Sequence, residues 1–162
     1  MCPLQHSARP TSKPLPVDAG WMELALAEAF ACAGEGEVPV GAVVVRGNEV
    51  LAAAGNRRER DHDPAAHAEV VALREAAKKT GSWRLTGCTL VVTLEPCPMC
   101  LGAAQHARVD GVIYGAADPK GGALSLGHAF HEDTRLNHRF PAVLVRDVRC
   151  EKVLKDFFKG RR

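Results

Sequence analysis

The chain has 162 residues, 46% of them hydrophobic and 25% charged, with a formal net charge of +2 at pH 7. That is the profile of one globular domain with a proper core. No apolar run approaches the roughly 20 residues of a membrane span, so no membrane partner is expected. A charge of +2 is too small to imply a nucleic-acid partner by itself.

Residues 1–17 carry Pro3, Pro10, Pro14 and Pro16 among polar residues and read as a disordered Pro-rich leader, with a single domain over 18–162. The leader has no continuous apolar segment of the secretory kind, so a cytoplasmic, reducing location is expected. Asp18 can cap a helix whose apolar positions Met22, Leu24, Leu26, Ala29 and Phe30 run to about Ala33, closed by Gly34 and Gly36. Ala42 to Val45 and Val50 to Ala54 are strand-like, and Gly47-Asn48 between them suits a tight hairpin turn. A helix follows from about Ala66 to Lys79, with Val70, Leu73 and Ala77 at helical spacing and Gly81 beyond it. Thr89 to Leu94 is a short run rich in β-branched residues between Gly87 and Pro96, the pattern of a buried strand. Pro98 opens a further helix to about His106, at the position where its missing N–H does no harm. Val109 to Tyr114 and Ala142 to Val148 read as strands, and Cys150 to Lys159 as a last helix. The order predicts an α/β fold, a three-layer α/β/α sandwich around a mixed sheet of about five strands.

Two segments carry the chemistry: His67-Ala68-Glu69 and Pro96-Cys97-Pro98-Met99-Cys100. Alone, each is ambiguous. A His-x-Glu on a helix is commonly incidental. One Cys-x-x-Cys serves equally as a redox pair, half of a structural zinc site, or two buried thiols. Together they form the H-x-E…P-C-x-x-C pattern of zinc deaminases. Residues two apart do not share a face of a regular helix. His67 and Glu69 can therefore approach one metal only at a helix start, with the metal off its end. Cys97 and Cys100 share a face across a first turn, where free N–H groups and the positive dipole end favour thiolate. One imidazole and two thiolates give zinc three protein ligands and leave a fourth position to water, as catalytic sites do. Two thiolates neutralise the metal charge and weaken its Lewis acidity, so a neighbouring base, Glu69, is needed to finish deprotonating that water. A structural site would instead require a fourth protein ligand. The candidates are Cys32, Cys88, Cys150, His62, His106, His128, His131 and His138, none of which forms a second pair at zinc-ribbon spacing. Cys2 lies in the leader, and Cys32, Cys88 and Cys150 read as ordinary core or surface thiols.

From about Trp21 to Arg162 the sequence resembles the bacterial tRNA adenosine deaminases, members of the cytidine deaminase-like fold family. The resemblance rests on Glu37-Val38-Pro39-Val40-Gly41-Ala42, Gly55-Asn56-Arg57, His62-Asp63-Pro64-Ala65-Ala66-His67-Ala68-Glu69 and Thr93-Leu94-Glu95-Pro96-Cys97-Pro98-Met99-Cys100. Further matches are Asp118-Pro119-Lys120-Gly121-Gly122, Asn137-His138-Arg139 and Asp156-Phe157-Phe158-Lys159-Gly160-Arg161-Arg162. The zinc motifs are shared with guanine and cytosine deaminases, whereas the downstream segments and basic C-terminal helix favour the tRNA branch. The resemblance implies one Zn2+ per subunit on His67, Cys97 and Cys100. It implies hydrolytic deamination at C6 of the wobble adenosine of a tRNA anticodon, with Glu69 shuttling protons. It also implies a substrate pocket from Asn56, Val38, Pro39, Gly41, Ala42 and Pro96, and a homodimer. Asn56 could equally be an ordinary turn asparagine. The target base must leave its stack to reach a buried metal, which is cheapest for a loop nucleotide. Anticodon contacts are expected from Asp118, Lys120, Asn137, His138 and Arg139, and phosphate contacts from Lys155, Lys159, Arg161 and Arg162. One of Phe157 and Phe158 is expected in the core. Ala123 to Leu136 departs most from the family pattern. The alternative is a deaminase of a free guanine- or cytosine-type base, which would use the same zinc site without a basic tail. A third reading, a zinc-stabilised RNA-binding protein without catalysis, fits poorly with the presence of Glu69.

Overall fold

The computed structural model describes residues 15–161, so most of the Pro-rich leader and Arg162 lie outside the described residues. The chain runs α1 (Ala19–Gly34), β1 (Gly41–Arg46), β2 (Glu49–Gly55), α2 (Arg58–Asp61), α3 (Ala68–Thr80), β3 (Cys88–Val92), α4 (Pro98–His106), β4 (Gly111–Tyr114), β5 (Ala142–Leu144) and α5 (Val148–Lys159). A single 3-10 turn, Phe130–Glu132, interrupts the long connection between β4 and β5. The strands form one mixed sheet in the order β2-β1-β3-β4-β5. β1 pairs antiparallel with β2 and β3, and β4 runs parallel to both β3 and β5.

Side chains alternate across the sheet and divide the core in two. Ala42, Val44, Leu90, Val92, Val112 and Tyr114 join α3 and α4 on one face. Val43, Val45, Val91 and Ile113 meet Trp21, Met22, Ala25 and Leu26 of α1 and Cys150 of α5 on the other. The result is the expected three-layer α/β/α sandwich. The approach of α1 to the sheet is close enough that Gly41 cannot carry a side chain: a Cβ would collide with the Ala25 carbonyl and come within 2.7 Å of the Ala29 nitrogen.

Several boundaries differ from the sequence expectation for local reasons. In α1 the Asp18 carboxylate accepts from the Gly20 N–H at 2.8 Å, but Leu24 and Phe30 face solvent; the packed stripe is Met22, Ala25, Leu26, Ala29 and Cys32. β3 ends at Val92: the Thr93 N–H still donates to the Gly41 carbonyl at 3.0 Å, but the Gly41 N–H is taken by the Thr93 hydroxyl at 3.1 Å rather than by a β3 carbonyl. β4 begins at Gly111 rather than Val109. β5 covers only Ala142–Leu144, since Asp147 leaves the sheet to cap α5, which starts at Val148 rather than Cys150. The short α2 was not expected. Gly47 at φ +58° makes the hairpin turn between β1 and β2, as the Gly-Asn pair predicts.

The topology gathers one end of the sheet into a site. β1 starts where β2 and β3 end, because both are antiparallel to it, and β4, parallel to β3, ends there too. The approach to β1, the exits of β2, β3 and β4, and the N-termini of α3 and α4 therefore converge on one rim.

Candidate active site

His67 is the N-cap of α3, extended at φ −67° and ψ 149°, and Cys97 is the N-cap of α4, at φ −68° and ψ 169°. α3 starts at Ala68, two residues later than the sequence suggested. The histidine therefore lies off the helix end, as its spacing to Glu69 requires. Pro98 takes the first helical position of α4, leaving Cys97 and Cys100 across the first turn.

His67 Nδ1 lies 3.6 Å from Cys97 Sγ and 3.5 Å from Cys100 Sγ. All three ligand atoms fall within 4.8 Å of one another, and among the described residues no fourth histidine, cysteine or carboxylate joins them. A tetrahedral zinc with Zn–S of about 2.3 Å and Zn–N of about 2.0 Å would hold its nitrogen and sulfur ligands about 3.5 Å apart, so the donor set fits the ion. The other sequence candidates for a fourth ligand lie elsewhere. Cys32 Sγ donates to the Ala29 carbonyl, Cys150 Sγ to Met22, and His138 Nε2 is 2.7 Å from the Val109 carbonyl. Cys32, Cys88, Cys97, Cys100 and Cys150 are all free thiols.

The electrostatics of the cluster favour ligation. Cys97 is drawn down to about 4, first by the hydrogen bond from Cys100 and then by His67, while Cys100 is pushed up by donating to Cys97 and by burial. The lowered thiol of Cys97 is thereby predisposed to ligate as a thiolate. His67 is raised, chiefly by its hydrogen bond with Cys97. Glu69, buried in the first turn of α3, is pushed up to about 7 by its burial, against the opposing pull of its own backbone N–H and His67. A carboxyl near neutrality beside a cluster that can hold a metal is suited to taking a proton and giving it back.

His67 and Cys97 of the cluster open onto a pocket of about 230 Å³ lined by Val38, Val40, Asn56, Arg58, His67, Glu69, Leu94, Glu95, Cys97, Asp118 and Gly121. Of the residues expected around the substrate, Asn56 and Val38 line it. Pro39, Gly41, Ala42 and Pro96 do not. Gly41 is pressed against α1 and Ala42 is fully buried among the helices of the opposite face. Five lining residues were not singled out from the sequence. Val40, Leu94 and Gly121 sit in quoted segments without a chemical signal of their own. Arg58 reaches the pocket only because α2 begins there, and Glu95 was passed over between better-marked neighbours. Glu37 was missed as well: it is 1% exposed, its carboxylate accepting from the Arg60 N–H at 2.8 Å and from Asn56 Nδ2 at 3.4 Å, so it ties α2 and fixes the Asn56 amide.

The residues expected to touch RNA are divided. Asp118 lines the pocket, and Lys120, Asn137 and Lys159 are exposed. Arg139 is half-buried. The His138 ring is occupied within the fold, bonded to Val109 and stacked 5.7 Å from Phe140. Arg161 donates to the Gly36 carbonyl at 2.7 Å and lies 4.1 Å over the Phe157 ring. Neither phenylalanine of α5 enters the core: Phe157 is half-buried and packs edge-on against Phe158, which is 50% exposed.

A mixed α/β/α sheet with a histidine and a cysteine pair on adjoining helix N-termini defines a nucleobase-type deaminase, and the MafB19-like deaminase family model matches residues 18–162. The tRNA-specific adenosine deaminase of Bacillus subtilis (strain 168) is 44% identical over 146 residues, covering 90% of this chain and 91% of the relative. A solved structure from studies of A-to-I editing by tRNA:A34 deaminases superposes with a TM-score of 0.80 at 40% identity, over 85% of this chain and 100% of that one. The guanine deaminase of B. subtilis shares the fold at a TM-score of 0.61 and 30% identity, over 90% and 94% of the two chains. The chain belongs to the tRNA-specific adenosine deaminase family.

Proposed function

We propose that the chain hydrolyses the wobble adenosine of a tRNA anticodon to inosine, consuming one water and releasing ammonia. The observation that carries this reading is the convergence of His67 Nδ1 on both Cys97 and Cys100, with buried Glu69 lining the same pocket as His67 and Cys97. His67, Cys97 and Cys100 would hold one Zn2+ per subunit, and the chemistry it supplies when bound is Lewis-acid activation of a water. Glu69 would take a proton from the attacking water and deliver it to N1 of the base, then take the proton of the resulting C6 hydroxyl and pass it to the amino group, which leaves as ammonia as the C6 carbonyl forms. Asn56, held by Glu37, offers its amide to the flipped nucleoside, and Val38 and Val40 give the base an apolar wall. Burial of Glu69 and Cys100, with His67 and Cys97 half-buried, limits the access of bulk water.

The relatives' named substrate supports tRNA, and exposed Lys120, Asn137, Lys155 and Lys159 supply groups for the anticodon arm. We place the enzyme in the cytoplasm as a homodimer, in line with the family resemblance. No described helix is long and apolar enough to cross a membrane.

The structural likeness to a guanine deaminase supports a second reading, turnover of a free base at the same site. The test is inosine formation on an anticodon stem-loop carrying a wobble adenosine, run beside free guanine, cytosine and adenine. Inosine in the hairpin is expected, and deletion of Lys159 to Arg162 should lower its formation. Turnover of free bases alone, untouched by that deletion, would establish the second reading instead.

A further inference from the structure

Glu95 is 3% exposed, yet among the described residues no cation pairs with its carboxylate. A buried anion without a counter-ion must have its acceptor sites filled by donors. The donors to that carboxylate all come from one segment of the β4–β5 connection. The Ser125 N–H reaches Oε1 at 2.7 Å, and the Asp118 N–H and Ser125 hydroxyl reach Oε2 at 2.9 and 2.6 Å. The main chain clasps the same segment: the Glu95 N–H donates to the Ala116 carbonyl at 2.8 Å, and the Ala123 N–H donates to the Pro96 carbonyl at 2.8 Å. Gly122 completes the fit, since a Cβ there would fall on the Glu95 carboxylate.

The segment so held is short and turns tightly on itself. Asp118 Oδ1 accepts from the Lys120 and Gly121 N–H groups at 3.2 and 3.1 Å, and the Gly122 N–H donates to the Asp118 carbonyl at 2.8 Å. Asp118 and Gly121 are also the two residues by which this connection lines the pocket. Outside the turn itself, the side-chain anchor that sets their place is the carboxylate two residues before a metal-ligand candidate. The segment is thereby registered to the Cys97 turn.

We propose that Glu95 is a positioning residue for substrate binding: its carboxylate fixes the Asp118–Ser125 turn as a wall of the pocket. It acts on the nucleotide only through that wall, because its own oxygens are already engaged by the turn. The inference rests on the deaminase function proposed above.

The test uses the metal-loaded enzyme and an anticodon hairpin. Glu95→Gln keeps the shape but sets an amide NH2 against the donors of the turn. KM for the hairpin should rise about 10-fold with kcat within about twofold and metal content unchanged. Ser125→Ala, which removes one of the three donors, should give a smaller rise of about threefold. Hairpin affinity measured by fluorescence anisotropy in a Glu69→Ala background should weaken by the same factors. A merely structural role would lower activity in step with the folded fraction and leave KM and affinity where they were, and that result overturns the proposal. Should Glu95→Gln not fold, Ser125→Ala and Gly122→Ala carry the same comparison, with unchanged KM again the contrary result. A wild-type enzyme inactive on the hairpin would overturn the proposed function; an active one with unmoved KM in these variants overturns only this inference.

Discussion

At the level of single residues, the proposed function divides labour between metal ligands and a proton carrier. The imidazole of His67 and the sulfurs of Cys97 and Cys100 are spaced to share an ion, and Glu69 is the one buried carboxylate in the first turn of α3. Glu69→Ala should therefore reduce inosine formation by at least about 100-fold, the ordinary contribution of general acid–base catalysis, while the metal stays bound; metal analysis beside the activity assay checks both. These four residues were legible in the sequence because ligand type and spacing are local properties. Glu37, Arg58 and Glu95 were not. Glu37 and Glu95 draw their importance from partners 19 to 30 positions away, such as Asn56 for Glu37 and Ser125 for Glu95, which no spacing within a motif announces, and Arg58 reaches the pocket through the unexpected α2. Pro39, Gly41, Ala42 and Pro96 do not line the pocket, for the converse reason. Sharing a motif with pocket residues does not decide which of them turns toward the pocket and which packs against α1 or the sheet.

The elements show where composition decides and where packing does. The hairpin turn and the starts of α1 and α4 follow from Gly47, Asp18 and Pro98, whose backbone preferences act locally. β5 and α5 did not follow from periodicity, because Ala142 to Val145 is continuously apolar beyond the end of β5 at Leu144, and the Asp147 cap rather than a change of period sets the start of α5. The Asp147 side chain accepts from the Arg149 N–H at 3.0 Å and pairs with the Arg149 guanidinium. Asp147→Ala should lower stability by about 1 kcal/mol, measured as a shift in denaturation midpoint at pH 7. The Arg149 guanidinium, ahead of the backbone bond, holds the Asp147 carboxyl below its usual range. A depressed carboxyl contributes its stabilisation above the unfolded value of about 3.9 and loses it as pH falls through the lower folded value. The difference between wild type and variant should accordingly shrink in strong acid and persist at neutral pH.

On the scale of the whole molecule, the sandwich is a frame that carries six chain segments to one rim and leaves the opposite rim to turns. The two core layers on either side of the sheet hold that frame without the metal ligands, since His67 and Cys97 stand at helix ends rather than inside either cluster. Removing the metal with a chelator should thus abolish activity while far-ultraviolet circular dichroism keeps most of its amplitude. A structural zinc site would lose both together. The central question is what surrounds the ion. X-ray absorption at the zinc edge of the loaded protein addresses it directly, and a first shell of one nitrogen, two sulfurs and one further light atom exchangeable with solvent is the expected result. A shell closed by a fourth protein sulfur or imidazole, or a protein that takes up no zinc, would contradict the catalytic centre described above.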